Sequence, residues 1–193
     1  NTSRLQADPV YPDLFKKAFG SSTITLQNTE YALAQFVRTM ISGNAKFDRF
    51  IRHEENLTTQ EMIGFNIFNT ERGDCFHCHS ISLMTDNELH NIGLDSIFTG
   101  VDMGYYNSSG NPADLGKFKS PSLRNVSMRT SFMHDGRFTT LDEVINHYNY
   151  EVKLSPSLDP IMTKPGKEFG LGLSPFEIDA LKAFLNTLTD STY

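Results

Sequence analysis

The sequence has no tryptophan and only two cysteines among its 193 residues. Two cysteines that lie three positions apart cannot form a disulfide framework, so they must serve a local purpose. No apolar run approaches the roughly 18 to 20 residues that cross a bilayer, which excludes a membrane span. The first ten residues lack the basic and apolar regions of a signal peptide, but a removed signal peptide leaves no trace, so the compartment stays open.

An excess of positive charge is also missing. The chain has 17 Lys and Arg against 23 Asp and Glu, a net charge of −6, and no predicted helix has a basic stripe. A surface that binds a phosphate backbone needs such a stripe, so we expect no nucleic-acid partner. A hydrophobic fraction of 38% is typical of a folded globular protein with one core or one domain and an appended piece.

Hydrophobic periodicity predicts a mostly α fold. The last helix has the strongest signal, because Ser174 is an N-cap, Pro175 takes the first helical position and Glu177 completes a capping box. Residues 80–125 are instead rich in Gly, Asn, Asp and Ser, which predicts a long irregular segment with one short hairpin that wraps a site. The predicted helices cover residues 11–19, 24–41, a segment from Thr58 or Thr59 to just before Arg72, 140–149 and 174–188.

The motif that carries chemistry is Cys75-Phe76-His77-Cys78-His79. This is C-x-x-C-H, the attachment sequence of a c-type haem. Two thiols about one helical turn apart can each add to a different vinyl group of the haem, and the adjacent His79 can place its imidazole under the iron. His77 is then an exposed spacer.

Two other interpretations of this motif are weaker. A zinc site would use both thiolates together with His77, His79 or His90, but a second C-x-x-C or an H-x-x-x-H pattern is missing. A redox-active dithiol follows a strand of a βαβ unit, and the sequence contains no such unit. Covalent haem is therefore the leading hypothesis.

The sixth ligand of the iron decides the chemistry of such a haem. An open position permits peroxide or dioxygen binding, a thioether raises the reduction potential, and a phenolate stabilises ferric or higher-valent iron. Periodicity does not choose among the side chains, each of which is also suited to core filling. The downstream candidates are Met128, Met133, His134, His147, Tyr148 and Met162.

Three blocks beyond the motif carry a family resemblance. They read GKFKSPSLRNV at 116–126, FMHDGRF at 132–138 and TLDEVINHY at 140–148. In this order they resemble the bacterial dihaem cytochrome c peroxidase and MauG family. Weaker matches before the motif, after it and at the end of the chain extend the resemblance over nearly the whole sequence.

The resemblance implies two haem domains, whereas this sequence contains one C-x-x-C-H. Residues 54–193 resemble the second, C-terminal domain, a cytochrome c-like haem domain with long irregular loops. Residues 1–53 resemble the closing helices of the first domain and form an N-terminal helical arm. Because the family reduces peroxide at the first haem, no catalytic residue is expected in this segment.

Alignment with the family implies roles for single residues. Tyr148 aligns with the sixth haem ligand, which is tyrosine in the MauG-like branch and methionine in the classical peroxidases, and Met133 is the alternative. His134 and Asp135 resemble residues of the haem pocket or of the domain interface, and Asp135-Gly136 also suits a simple turn. The resemblance also implies a calcium ion bound by the carbonyls of Arg129 and Ser131. Arg124 and Arg137 are candidates to pair with haem propionates, with ordinary surface ion pairs as the alternative.

The resemblance implies an oxidoreductase that reduces hydrogen peroxide to water with electrons from a donor protein or a small reductant. Oxidation of a protein side chain through high-valent haem is the second hypothesis, and a single-haem electron carrier is the third. The helical arm at 1–53 counts against the carrier, because a free-standing cytochrome needs no such arm. Attachment of haem c outside the cytoplasm implies a periplasmic protein. The implied partner is the first haem domain, and a homodimer is a further possible assembly.

Overall fold

The computed structural model describes residues 2–168 and 170–192. Its contacts divide the chain into two compact units, one that ends at Ser42 and one that covers Gly43–Thr192. The division lies eleven residues before the boundary predicted at residue 53. The reason is the short helix α4 (Lys46–Ile51), whose Phe47 is buried in the core of the second unit.

The first unit is helical, as the sequence predicts. It contains α1 (Thr2–Ala7), α2 (Tyr11–Phe19) and α3 (Leu26–Thr39). The side chain of Gln6 connects α1 to the segment before α3. It donates to the carbonyl of Ser22 at 3.1 Å and accepts from the amide of Ile24 at 2.8 Å. α3 has no buried residue. Its large apolar side chains, including Leu33, Phe36 and Val37, are exposed.

The core of the second unit forms where α5 (Thr59–Phe68) crosses α8 (Pro175–Asn186). Both helices begin with capping boxes. Ser174 pairs with Glu177 as the sequence predicts, and Thr58, one of the two predicted starts of α5, pairs with Glu61. At the crossing, Phe47 meets Phe184 edge to face with ring centroids 5.2 Å apart. Gly64 permits this approach, because a Cβ there would overlap the carbonyl oxygen of Ala180.

The segment at 80–125 is irregular, as expected, but its strands do not form a local hairpin. β1 (Leu89–His90) and β2 (Phe118–Lys119) pair antiparallel across a long connection, with Leu89 opposite Lys119 and His90 opposite Phe118. The connection contains the short helix α6 (Tyr106–Ser109) and 3-10 turns at Gly100–Met103 and Pro112–Asp114.

The helix predicted at 140–149 changes type along its length. α7 (Leu141–Asn146) begins with the capping box of Thr140 and Glu143, and one turn of π-helix follows at His147–Glu151. Single π-turns of this kind are frequent at functional sites. Among the residues that the structure describes, no helix is long and apolar enough to cross a membrane.

Candidate functional site

The second unit encloses a largely apolar cavity of about 570 Å³. Segments from most of this unit line it, including the turn that carries the cysteines, the irregular segment, the π-turn and the loop before α8. Cys75, Cys78, His79 and Tyr148 all reach this one cavity.

The two cysteines are set by a tight turn of the main chain. Asp74 has left-handed backbone torsions with φ 58°, and a 3-10 turn at Cys75–His77 follows. The amide of Cys78 bonds to the carbonyl of Cys75, and that carbonyl also accepts from the amide of His79 at 2.9 Å. The turn thus places both thiols at the cavity, as the spacing predicts.

Burial raises the pKa of both thiols to about 12. Negative charge adds to this effect, from Asp74 beside Cys75 and from Asp159 and Asp86 beside Cys78. The thiols are therefore protonated at neutral pH.

The hydrogen bond and the burial of His79 favour the neutral ring that can ligate a metal. Its Nδ1 lies 3.1 Å from the carbonyl oxygen of Met84, and burial lowers the pKa of the ring. A neutral ring that donates from Nδ1 keeps the lone pair of Nε2 free for a metal. Met84 is itself fully buried and bonded to Ser80 and Leu123, so the acceptor is fixed in place.

Tyr148 brings a phenol to the same cavity from the π-turn. Burial raises its pKa, and the nearby Cys75 and Cys78 act in the same direction. Among the described residues, its hydroxyl has no hydrogen-bond partner. The side chain is half-buried, and its hydroxyl is available to a group bound in the cavity.

These groups fit a haem c. Covalent attachment needs two thiols, the iron needs a neutral imidazole, and a porphyrin needs an apolar cavity. The cavity supplies all three, and the unpartnered phenol of Tyr148 offers a further oxygen ligand.

Three comparisons bear on this site. A sequence model described as di-haem cytochrome c peroxidase matches residues 1–56. The methylamine utilization protein MauG of Methylophilus methylotrophus is 37% identical over 190 residues, covering 96% of this chain and 54% of that protein. The cytochrome-c peroxidase IdrP2 of Denitromonas iodatirespirans is 32% identical over 213 residues, covering 96% and 55%. The chain belongs to the dihaem cytochrome c peroxidase and MauG family.

A solved structure supports this membership. A MauG-like protein associated with microbial copper homeostasis superposes with a TM-score of 0.87 at 28% identity, covering 99% of this chain and 61% of that one. This confirms the mostly α fold of a haem oxidoreductase family. The chain spans about half the length of the curated relatives it matches.

The other candidates for the sixth ligand differ in position. Met133, with φ 68°, His134 and Met162 line the cavity. The ring of His134 stacks on Phe118 at 3.7 Å, and its Nε2 lies 3.0 Å from Asp102 Oδ1. Two candidates do not line it: Met128 is exposed, and His147 bonds through Nε2 to the carbonyl of Ile92 at 2.9 Å.

The arginines predicted to bind propionates have other partners. Arg124 forms two hydrogen bonds of 2.9 Å to Asp48 and does not line the cavity, so its propionate role stays a prediction. Arg137 is likewise bonded to Asp95 and Asp135.

Arg129 and Ser131, the predicted carbonyl ligands of calcium, both border the cavity. Their calcium role stays a prediction.

Sequence reasoning missed the ion pairs around the site. His90 is bonded to Asp86 and Asp159, and the buried carboxylate of Asp74 accepts from Lys164 and Lys167. These partners lie up to 93 residues apart in the sequence, so no local pattern indicates them. The only local indication of these ion pairs in the sequence is the presence of acidic residues near the motif.

Proposed function

We propose that this chain is the second, C-terminal haem domain of a dihaem peroxidase, with a helical arm from the first domain. The observation that carries the proposal is the meeting of two thiols, one imidazole and one phenol at a single apolar cavity. The whole enzyme would reduce hydrogen peroxide to water. The peroxide site would lie in the first domain, outside this chain.

Each residue of the site has a defined task. Cys75 and Cys78 would hold a haem through thioether bonds, and their protonated state keeps the sulfur hydrogen that such an addition consumes. His79 would be the proximal ligand, with its Nδ1 proton held by Met84. A haem bound here would supply a one-electron redox centre.

We assign the sixth ligand to Tyr148, with Met133 as the alternative, since both border the cavity. Burial disfavours the phenolate, so ionisation of Tyr148 requires a positive centre nearby, which ferric iron would provide. Phenolate ligation would lower the reduction potential. The apolar lining excludes water and strengthens this electrostatic coupling.

A second function is the oxidation of a protein side chain at a distance. The 37% identity to a MauG protein and the position of Tyr148 favour this alternative, because a low-potential site suits an enzyme that stores oxidising equivalents. The peroxidase function requires electrons from a donor protein or a small reductant, whereas in the second function the oxidised side chain supplies them. Both functions imply a periplasmic enzyme, because haem c is attached outside the cytoplasm.

Mass spectrometry of native, full-length protein tests the proposal directly. We expect a covalent haem on the peptide that contains Cys75 and Cys78, and two haems per chain by pyridine haemochrome assay. An unmodified or zinc-containing polypeptide would refute the haem assignment. A single haem per full-length chain would favour the electron-carrier hypothesis.

The ligand assignment needs a separate measurement. Ferric Tyr148→Phe protein should lose the phenolate-to-iron charge-transfer band seen in the parent, whereas Met133→Leu should keep it. The opposite pattern would move the assignment to Met133.

A further inference from the structure

The residue after the proposed ligand makes an unusual buried contact. Asn149 is fully buried, and its side-chain amide meets the main chain of one residue, Leu173. Its Nδ2 donates to the Leu173 carbonyl at 3.1 Å, and its Oδ1 accepts from the Leu173 amide at 2.5 Å. Removal of this amide leaves the Leu173 N–H without a partner and its C=O with only a 3.5 Å contact from the Tyr150 hydroxyl.

The main chain of the π-turn also contacts the segment 170–173. The amide of Leu171 donates to the carbonyl of Tyr148 at 3.1 Å. Gly170 has φ 95°, and a Cβ there would overlap the carbonyl oxygen of Asn149. The two backbones therefore approach as closely as a glycine allows.

The segment 170–173 is anchored in turn to the other side of the site. Arg72, three residues before Cys75, donates to the carbonyls of Leu171 at 2.6 Å and Gly172 at 2.9 Å. The segment thus connects the chain that carries the cysteines with the turn that carries Tyr148.

A π-turn needs such support, because this geometry is rare and usually persists only as a single turn. If the turn relaxed to α-helix by one residue, the side chains after the change would rotate by about 100° around the helix axis. That rotation would move the phenol of Tyr148 relative to the cavity.

We infer that Asn149 is a positioning residue for Tyr148, which acts by clamping the π-turn to the segment 170–173. The inference rests on the proposed function, in which Tyr148 ligates the iron. The bond of His147 to the carbonyl of Ile92 is a second anchor of this turn.

Spectroscopy of the full-length, haem-loaded protein tests this role. The variants are Asn149→Ala, Asn149→Asp and Tyr148→Phe, and Asn146→Ala is the matched control, an exposed asparagine in the same helical segment. We expect Asn149→Ala to lose the phenolate charge-transfer band and to shift the ferric EPR signal as Tyr148→Phe does, at unchanged haem content. Asn146→Ala should keep the parent spectrum.

Asn149→Asp keeps the test decisive if the alanine variant does not fold. An aspartate accepts from the Leu173 amide but cannot donate to its carbonyl, so the band should weaken. A parent-like spectrum in the folded Asn149 variants, with the band absent in Tyr148→Phe, would overturn the inference alone. A parent-like spectrum in Tyr148→Phe would instead overturn the ligand assignment.

Discussion

His90 donates from both ring nitrogens, from Nδ1 to Asp159 at 2.6 Å and from Nε2 to Asp86 at 2.8 Å. A ring that donates twice carries a positive charge. Burial disfavours that charge, but the hydrogen bonds to Asp159 and Asp86 outweigh burial and raise the pKa of His90. The ion cluster joins β1 to the loop before the 3-10 turn at Pro160–Thr163.

This cluster predicts a stability that falls as pH rises. The contribution of His90 is complete below the unfolded pKa of about 6.5 and is lost as pH rises through the higher folded pKa. We expect His90→Gln to lower the free energy of unfolding by about 2 kcal/mol at low pH, with the difference shrinking at alkaline pH. Urea titrations across pH measure it.

His53→Gln is the control, because His53 is exposed and forms no ion pair among the described residues. Parallel pH profiles for the parent and His90→Gln would contradict the prediction.

At the residue scale, the sequence predicted the groups that a motif fixes and missed those that the fold brings together. Cys75, Cys78 and His79 lie within five residues of one another, so the spacing of this motif alone indicated haem attachment. Asn149 and Leu173 are 24 residues apart, and no periodicity connects an asparagine to a distant main-chain amide.

The close crossing of α5 and α8 requires a residue without a Cβ atom at position 64, which is Gly64. Because a Cβ there would overlap the Ala180 carbonyl, Gly64→Ala must separate the helices and disturb the packing of Phe184. We expect a loss of about 3 kcal/mol in the free energy of unfolding, although alanine is the better helix former. Thermal denaturation followed by circular dichroism measures this loss.

Asn66→Ala, at an exposed position of the same helix, serves as the control and should change stability by less than about 0.5 kcal/mol. Equal melting temperatures for Gly64→Ala and Asn66→Ala would rule out the close approach.

Helix starts could be predicted because caps are local signals. The capping box at Ser174 lies where the sequence places it, and α5 is capped by Thr58, one of the two predicted starts. The π-turn at His147–Glu151 was beyond prediction, because one turn has no period and its cause lies in residues 170–173. The short helix α4 was missed for a related reason, since six residues give too little pattern.

The whole second unit is arranged around the cavity, and much of the lining comes from the irregular segment at 80–125. Phe98, Phe118 and Leu123 of this segment border the cavity. These side chains gain apolar contacts when a cofactor is bound, so loading should stabilise the segment.

We therefore expect faster proteolysis within 80–125 in a Cys75→Ala/Cys78→Ala variant than in the haem-loaded protein, by about tenfold. Mass spectrometry of limited digests identifies the cut sites. Cleavage within α3, in the other unit, serves as the internal reference and should be equal in both proteins. Equal rates within 80–125 would show that the segment is ordered without a cofactor.

The buried environment of the two thiols has a consequence for the protein before its maturation. Cysteines in a C-x-x-C spacing readily close into a disulfide in an oxidising compartment, and the attacking species is the thiolate. With pKa values of about 12, both thiols are far less ionised at neutral pH than an ordinary cysteine. The folded pocket thereby slows the self-oxidation that would block both sulfurs.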